Sequence, residues 1–517
     1  MKRRSFIKRG TGLTIPLVFG GLNIKAIDNP LFNSLELDDD KVLVLVQLNG
    51  GNDGLNMILP VDQYDNLAQV RSNILLPQNQ LLNLTDELAL HPVMEGIREV
   101  YDDAKLNIIQ GVGYPNQNRS HFRSSDIWHS GSSAEEVWEK GWLGRYFELF
   151  APNYPTGYPN EEFPDPFAIT IGNTVSETCE GSAGNFSLAL VDADNLSALA
   201  TPINGANTGT CHGDKIDFLT TSIIQTNAYN ATVETANGNG SNLSTKYTES
   251  KLSESLKLVA RLIGGGLGTK VYVVQLGGFD THADQVVDGE TTVGEHAELL
   301  ADLSSAICAF QDDLSLLGLE ERVIGMTYSE FGRRIRSNSS LGTDHGSAAP
   351  MLLFGSCINP GILGNNAEIS VDIDELEGVP MQYDFRSIYG SILMDWFQLQ
   401  EQVVKDLLYQ DFQYIPIIKN CNTISNTSSI IEEKISVEVF PNPTSDKLNI
   451  QLKIPAGPTK ISLYDAIGHE LKVITNQTLR AGVHDLVIDL ADQAAGSYFV
   501  RVQTSFGIEV KRAVKVR

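Results

Sequence analysis

The sequence predicts an α/β protein, a doubly wound and mostly parallel sheet, joined to a small C-terminal all-β sandwich. Three observations lead there. Valine-rich apolar runs too short for helices recur just before glycine-rich or polar loops, as buried parallel strands do. A helix-period stretch at about 293–317 separates two of these runs, giving strand, helix and strand in alternation. Past a polar stretch near 422–429 the pattern changes to short alternating runs spaced about ten residues apart, which suits a sandwich.

The opening segment, MKRRSFIKRGTGLTIPLVFGGLNIKA, has six basic side chains and no acid, then a short apolar run and a small residue near Ala26. It reads as a signal peptide over 1–26 and not as part of the fold. Arg3-Arg4-Ser5-Phe6-Ile7-Lys8 resembles a twin-arginine export signal, with an ordinary secretory signal as the alternative. The first buried strand is KVLVLVQL at 41–48, running into Asn49-Gly50-Gly51-Asn52-Asp53-Gly54. LNIIQGVG at 106–113, KVYVVQLGG at 270–278 and RVIGMTYSE at 322–330 repeat the pattern. A stretch from about 173 to 244, rich in Asn, Thr, Gly and Ser, reads as an insertion or lid over the carboxyl edge of the sheet. Nearby Tyr114, Trp128, His129 and Trp142 suit either a carbohydrate or lipid-headgroup site or plain core packing.

With 517 residues the chain exceeds what one core usually fills, so one large and one small domain are expected. A net charge of −26 argues against nucleic-acid or anionic-membrane partners, and an anionic substrate would need a locally positive or metal-filled pocket. No internal apolar stretch reaches the roughly 18 residues of a membrane span. The five cysteines, Cys179, Cys211, Cys308, Cys357 and Cys421, are too few and scattered for a disulfide framework or a zinc finger; one or two bridges are expected, with Cys179–Cys211 first.

Ligands of doubly wound sheets bind beyond the carboxyl ends of the strands, and the chemistry-bearing residues fall there. The first strand delivers Asp53, the second leads to Arg119-Ser120-His121, the third to Asp280-Thr281-His282, and the fourth to Glu330-Phe331-Gly332-Arg333. Gly342-Thr343-Asp344-His345-Gly346 follows. Carboxylates and imidazoles gathered this way suit a divalent cation such as zinc, manganese or calcium. The alternatives are local: Asp53 capping a turn, and Asp280-Thr281-His282 forming an Asx-turn beside a satisfied histidine.

The motifs GGNDGLN, RSHFRSSDIWHSG, GGFDTH, SEFGR and GTDHG resemble the bacterial domain of unknown function 1501 family over roughly residues 40–400. That family is similar to the alkaline-phosphatase and sulfatase superfamily. The resemblance implies metal ligands at Asp53, Asp280, His282, Asp344 and His345. Two departures stand out: the earlier pair is Asp-x-His where the superfamily has Asp-x-x-x-His, and the customary last histidine has no counterpart, since His469 and His484 fall in the small domain. One metal instead of two, or a lost activity, follows.

Ser120 is the candidate nucleophile, placed where helix N–H groups and a metal would stabilise an alkoxide, with a simple helix N-cap as the alternative. Arg119, Arg123 and Arg333 are candidates to clamp a phosphate or sulfate. Glu330 is expected to pair with Arg333 near the substrate. His121, His129 and His296 read mainly as structural, with His121 placed on the substrate side and the best reserve ligand.

Phe440-Pro441-Asn442-Pro443, Leu463-Tyr464-Asp465 and Gly496-Ser497-Tyr498-Phe499-Val500-Arg501-Val502, with the closing basic strand, resemble the sorting domain of the type IX secretion system. An unrelated immunoglobulin-like module is the alternative. The resemblance implies partners in the type IX machinery, with the twin-arginine translocase before it, and delivery through the periplasm to the cell surface or medium. The expected organisation is a signal at 1–26, the α/β domain at 27–421, a linker at 422–434 and the sorting sandwich at 435–517. The expected function is a metal-dependent hydrolase of phosphate or sulfate esters on a small-molecule, glycan or lipid substrate. Its rivals are a non-catalytic surface protein that binds glycans or assembles, and a structural secretion or envelope factor.

Overall fold

Val42–Asn49 (β1) forms the middle of the large sheet, and all but its last residue are buried. A computed structural model describes residues 40–191, 193, 226–419, 421 and 436–516 apart from 455–456, 467–468, 481 and 505–506, together with 16–19 and 22–25. Met1–Asp39 is a separate unit, of which Pro16–Phe19 and Leu22–Lys25 pair antiparallel. The rest of the expected signal, the linker at 422–434, Cys211 and the middle of the polar insertion lie outside the described residues.

The sheet continues with Leu106–Gly113 (β2), Ala168–Ile171 (β3), Ser187–Leu190 (β4), Val271–Gly277 (β5), Val323–Tyr328 (β6), Ala349–Phe354 (β7) and Gly361–Leu363 (β8). Its order is β8-β2-β7-β6-β1-β5-β3-β4, and Tyr383–Asp384 also pairs with β2. Every pairing is parallel except those of β7 with β6 and β2. The four strands expected from the sequence are present. The antiparallel β7 and the edge strand β4, which takes up the start of the polar insertion, are not among them. Later residues of that insertion are fastened to a helix: buried Asp313 accepts hydrogen bonds from the Leu243 and Ser244 N–H groups, the Asn242 amide and the Tyr247 hydroxyl.

Register places the loops of interest side by side, because Asn49 lies opposite Gly277 and Gln47 opposite Tyr328. Alternate β1 residues Val42, Val44, Val46 and Leu48 share a core with Leu256 and Val259 of Lys251–Gly264 and with Leu300, Leu303 and Ile307 of Glu295–Leu316. Each such side chain contributes about 1.5–3 kcal/mol by leaving water, so the sheet is a stiff platform for its carboxyl-edge loops.

The cysteine expectation is corrected. Cys357 and Cys421 are bridged, with Cα atoms 5.5 Å apart, whereas Cys179 and Cys308 are buried free thiols. The bridge forms where backbone pairing has already joined the two segments, with Lys419 N–H on the Cys357 carbonyl and Asn359 N–H on that of Ile417.

The C-terminal region is the expected antiparallel sandwich. One sheet pairs Ser436–Phe440, Lys447–Ile454 and Gly482–Asp489; the other pairs Glu470–Leu479, Gly457–Tyr464, Gly496–Thr504 and Gly507–Lys515. Leu448, Ile450, Ile461, Leu463, Val500 and Val502 fill the space between them. Buried Arg501 leaves this sandwich to stack 4.3 Å from the Tyr414 ring and to approach Asp395 of the large domain at 3.5 Å.

Candidate metal centre

Loops at the carboxyl edge of the sheet supply the site. The glycine turn after β1 approaches the others closely: a Cβ on Gly50 would lie 2.3 Å from the Asp280 nitrogen, and one on Gly51 2.4 Å from the Phe331 ring. Both glycines have positive φ, so a side chain there is excluded by conformation as well as by space. Thr343 N–H bonds to the Thr281 carbonyl, and Arg333 and His345 form an antiparallel bridge. These bonds fasten the 280–282 and 343–345 loops to each other and to the loop after β6.

Three imidazoles meet on one carboxylate. His282 Nε2 and His345 Nε2 each lie 3.2 Å from Asp280 Oδ1, His121 Nε2 lies 3.4 Å from it, and His282 Nε2 is 2.8 Å from His345 Nε2. Each ring is held from behind through Nδ1: His121 by Glu330 Oε1 at 2.8 Å, His282 by Asp344 Oδ1 at 2.9 Å, and His345 by the Arg119 carbonyl at 2.8 Å. Those partners only accept, so each Nδ1 carries a hydrogen and each ring turns its Nε2 toward the centre. With neutral rings the Nε2 lone pairs face one another across the Asp280 carboxylate, an arrangement that a bound cation relieves. His121 Nε2 is buried and has no hydrogen-bond partner.

The electrostatics agree with that reading. Burial raises the Asp280 carboxyl, but the Arg333 hydrogen bond and charge outweigh it and hold the group below its usual range, so it is ionised. Burial pushes His345 down, which favours its neutral form. Buried Phe331 packs against the His121 and His345 rings at 4.9 and 4.6 Å, giving the centre an apolar floor. The other side is open, with the His282 and Asp280 side chains 44% and 49% exposed.

Several expected site residues take other places. Asp53 is no part of the cluster: Arg71 binds its Oδ1 and Gln285 Nε2 donates to its Oδ2 at 2.7 Å, all within buried surroundings. Burial raises this carboxyl, yet Arg71 and then His296 and Gln285 keep it below the usual range. Arg333 cannot clamp an anion, because its guanidinium is buried against the carbonyls of Gly50, Gly51, Phe279 and Thr343 and bonds Asp280 Oδ1 at 2.7 Å. Arg123 is spent on the carbonyls of Ser133, Ala134 and Glu136. Glu330 pairs with His121 and the Gly50 N–H instead of with Arg333. Asp344 stands behind His282, with its other oxygen on Arg334 Nη1 at 3.2 Å.

Ser120 precedes the helix His121–Ser130 as its N-cap, is exposed, and makes no side-chain capping bond. Arg119 is half-buried and donates to the Leu376 carbonyl. Trp128, Tyr114 and Trp142 are core side chains. His121, ranked from sequence as a reserve, is the third imidazole. Gln285, whose Oε1 accepts from Thr281 and Thr343 while its amide bonds Asp53, carried no sequence signal of its role.

Among the described residues, no helix is long and apolar enough to cross a membrane. No curated protein matches the sequence significantly. Solved structures that align with it include a protein of the alkaline phosphatase superfamily from Vibrio parahaemolyticus, at 9% identity and TM-score 0.32, covering 80% of this chain and 77% of that one. A sulfatase from a Pseudoalteromonas species aligns at 9% identity and TM-score 0.30, covering 88% and 85%. Residues 220–408 match the model described as Protein of unknown function (DUF1501), a shorter span than the motifs suggested, leaving the Gly50 and Arg119 motifs outside it. Residues 438–516 match the Secretion system C-terminal sorting domain, which marks the chain for export by type IX secretion to the cell surface or extracellular space.

Proposed function

We propose that the protein is an exported metalloprotein whose His121, Asp280, His282 and His345 hold one divalent cation, and that this centre hydrolyses phosphate or sulfate esters. The observation that carries the reading is the convergence of three Nε2 atoms on Asp280 Oδ1 within 3.4 Å, with an open face toward solvent. His121, Asp280 and His345 offer ligand atoms within 4.8 Å of one another, and His282 Nε2 joins them 2.8 Å from His345 Nε2 and 3.2 Å from Asp280 Oδ1. A cation there supplies Lewis acidity toward an ester oxygen. Ser120 stands beside His121 at a helix N-terminus, with its hydroxyl uncommitted to a cap, and is our candidate nucleophile. The arginines left beside these loops for a substrate anion are Arg119, which bonds the Leu376 carbonyl, and Arg334, which bonds Asp344.

A non-catalytic surface protein that binds glycans or assembles is the second reading. It is favoured by the internal use of Arg333 and Arg123, which leaves few cations for an anionic substrate. Assay of purified protein with aryl phosphate and aryl sulfate, with and without zinc, manganese or calcium, separates the two. The hydrolase reading expects metal-stimulated turnover that His345→Ala abolishes. No turnover with any metal, in protein shown to bind that metal, favours the binding role.

A further inference from the structure

The centre and the residues behind it carry a second conclusion about which groups ligate and which ion they take. We infer that Asp344 and Glu330 are positioning residues that fix the tautomers of His282 and His121, and that the site selects a zinc-class ion over calcium. The inference rests on the metal-binding half of the proposed function and not on hydrolysis.

Asp344 was expected as a ligand, but its two oxygens face away from the centre. Oδ1 accepts from His282 Nδ1 at 2.9 Å and Oδ2 from Arg334 Nη1 at 3.2 Å. Glu330 is likewise consumed: Oε1 takes the Gly50 N–H at 2.9 Å and His121 Nδ1 at 2.8 Å, and Oε2 lies 3.3 Å from Ser329 Oγ. Each carboxylate therefore touches the far side of an inward-facing ring. A carboxylate behind an imidazole holds the hydrogen on Nδ1, orients the ring and raises the basicity of Nε2. The Arg119 carbonyl does the same for His345, so all three rings are set before any ion arrives.

The inward atoms are Nε2 of His121 and His345 and one Asp280 oxygen that already serves Arg333, within 4.8 Å of one another, with His282 Nε2 added 2.8 Å from His345 Nε2. Calcium takes six to eight oxygens, whereas neutral imidazoles suit zinc and its neighbours in the first transition row. Of the three candidate ions named from sequence, the inward donors fit zinc.

The test uses the purified full chain, with zinc affinity measured against a competing chelator and the visible spectrum recorded after cobalt(II) loading. His121→Ala and His282→Ala should lose tight zinc binding and the low-symmetry cobalt bands. Asp344→Ala and Glu330→Ala should weaken zinc by roughly 10–100-fold. Asp344→Asn and Glu330→Gln should recover most of that loss, since an amide oxygen still accepts from Nδ1. Excess calcium should not displace the zinc. Should the buried Glu330 variants fail to fold, the half-exposed Asp344 pair decides alone.

Asp344→Asn as damaging as His282→Ala would make Asp344 a ligand and overturn the inference. So would an unaltered affinity in Asp344→Ala, a preference for calcium, or a parent chain that binds no zinc. Zinc binding with this variant pattern but without ester turnover leaves the inference standing and removes the hydrolase reading.

Discussion

Two clusters built from the same residue types lie at one edge of the sheet. In the buried one, Asp53 meets Arg71 and Gln285, Gln285 meets Thr281 and Thr343, and His296 Nε2 bonds the Asn52 amide oxygen. Arg71 in turn bonds the carbonyls of Ile335 and Arg334. The Asp53 carboxylate oxygens each have a donor, so the network closes on itself. In the open cluster three inward ring nitrogens face a carboxylate that already accepts from Arg333, and acceptors stand behind the rings. What separates a structural network from a candidate ion site is this balance of donors and acceptors, since both contain aspartate, histidine and arginine.

Predictions that break or sharpen the contrast run from large to small. His345→Ala should lower zinc affinity by more than the roughly 100-fold upper range for residues behind the ligands. Equilibrium competition would show it, and an unaltered affinity would remove His345 from the centre. Asp53→Ala should leave Arg71 buried without its partner and cost about 3–5 kcal/mol of stability, read from denaturant melts. Zinc affinity of the folded fraction should change little. If Asp53→Ala instead removed zinc without destabilising the fold, the two clusters would have to be exchanged.

Acid should act through the buried region. Burial lowers His296 to about 4 and His91 to about 3. The unfolded chain takes up these protons near pH 6.5, whereas the folded chain does so only at the lower values. Stability from both is thus fully present above about pH 6.5 and lost as pH falls toward 4 and 3. Each is worth on the order of 2 kcal/mol between pH 6.5 and 5. Melting temperatures across that range should fall less in His91→Leu than in the parent; an equal slope would contradict the assignment.

The smallest structural effect is expected for Ser120→Ala. An N-cap serine is typically worth about 1 kcal/mol, but this hydroxyl makes no capping bond, so the loss should stay below about 0.5 kcal/mol. Ester turnover, if Ser120 is the nucleophile, should collapse in the same variant while zinc affinity holds.

The fold was largely legible because burial leaves β1, β2, β5 and β6 rich in Val, Leu and Ile with few polar breaks. β7 was missed: APMLLF has a proline at its second position and follows a long loop, and nothing local announces an antiparallel strand inserted between parallel ones. The centre was half legible. Asp280, His282 and His345 could be placed by their position after strands, whereas Asp53 has the same local signature and differs only through Arg71, 18 residues away. His121 could not be told from a helix-start histidine, because its role depends on Asp280 and on Glu330, which is 209 residues distant. Arg333 looks like an anion clamp in sequence, and only tertiary packing reveals the carbonyls that surround it.

The most direct test of the account is X-ray absorption spectroscopy of zinc-loaded full-length protein. We predict one zinc per chain in a first shell of imidazole nitrogens with one carboxylate oxygen, and outer-shell scattering from three rings that falls to two in His121→Ala. An all-oxygen shell, or a parent spectrum indifferent to His121→Ala, His282→Ala and His345→Ala, would contradict it.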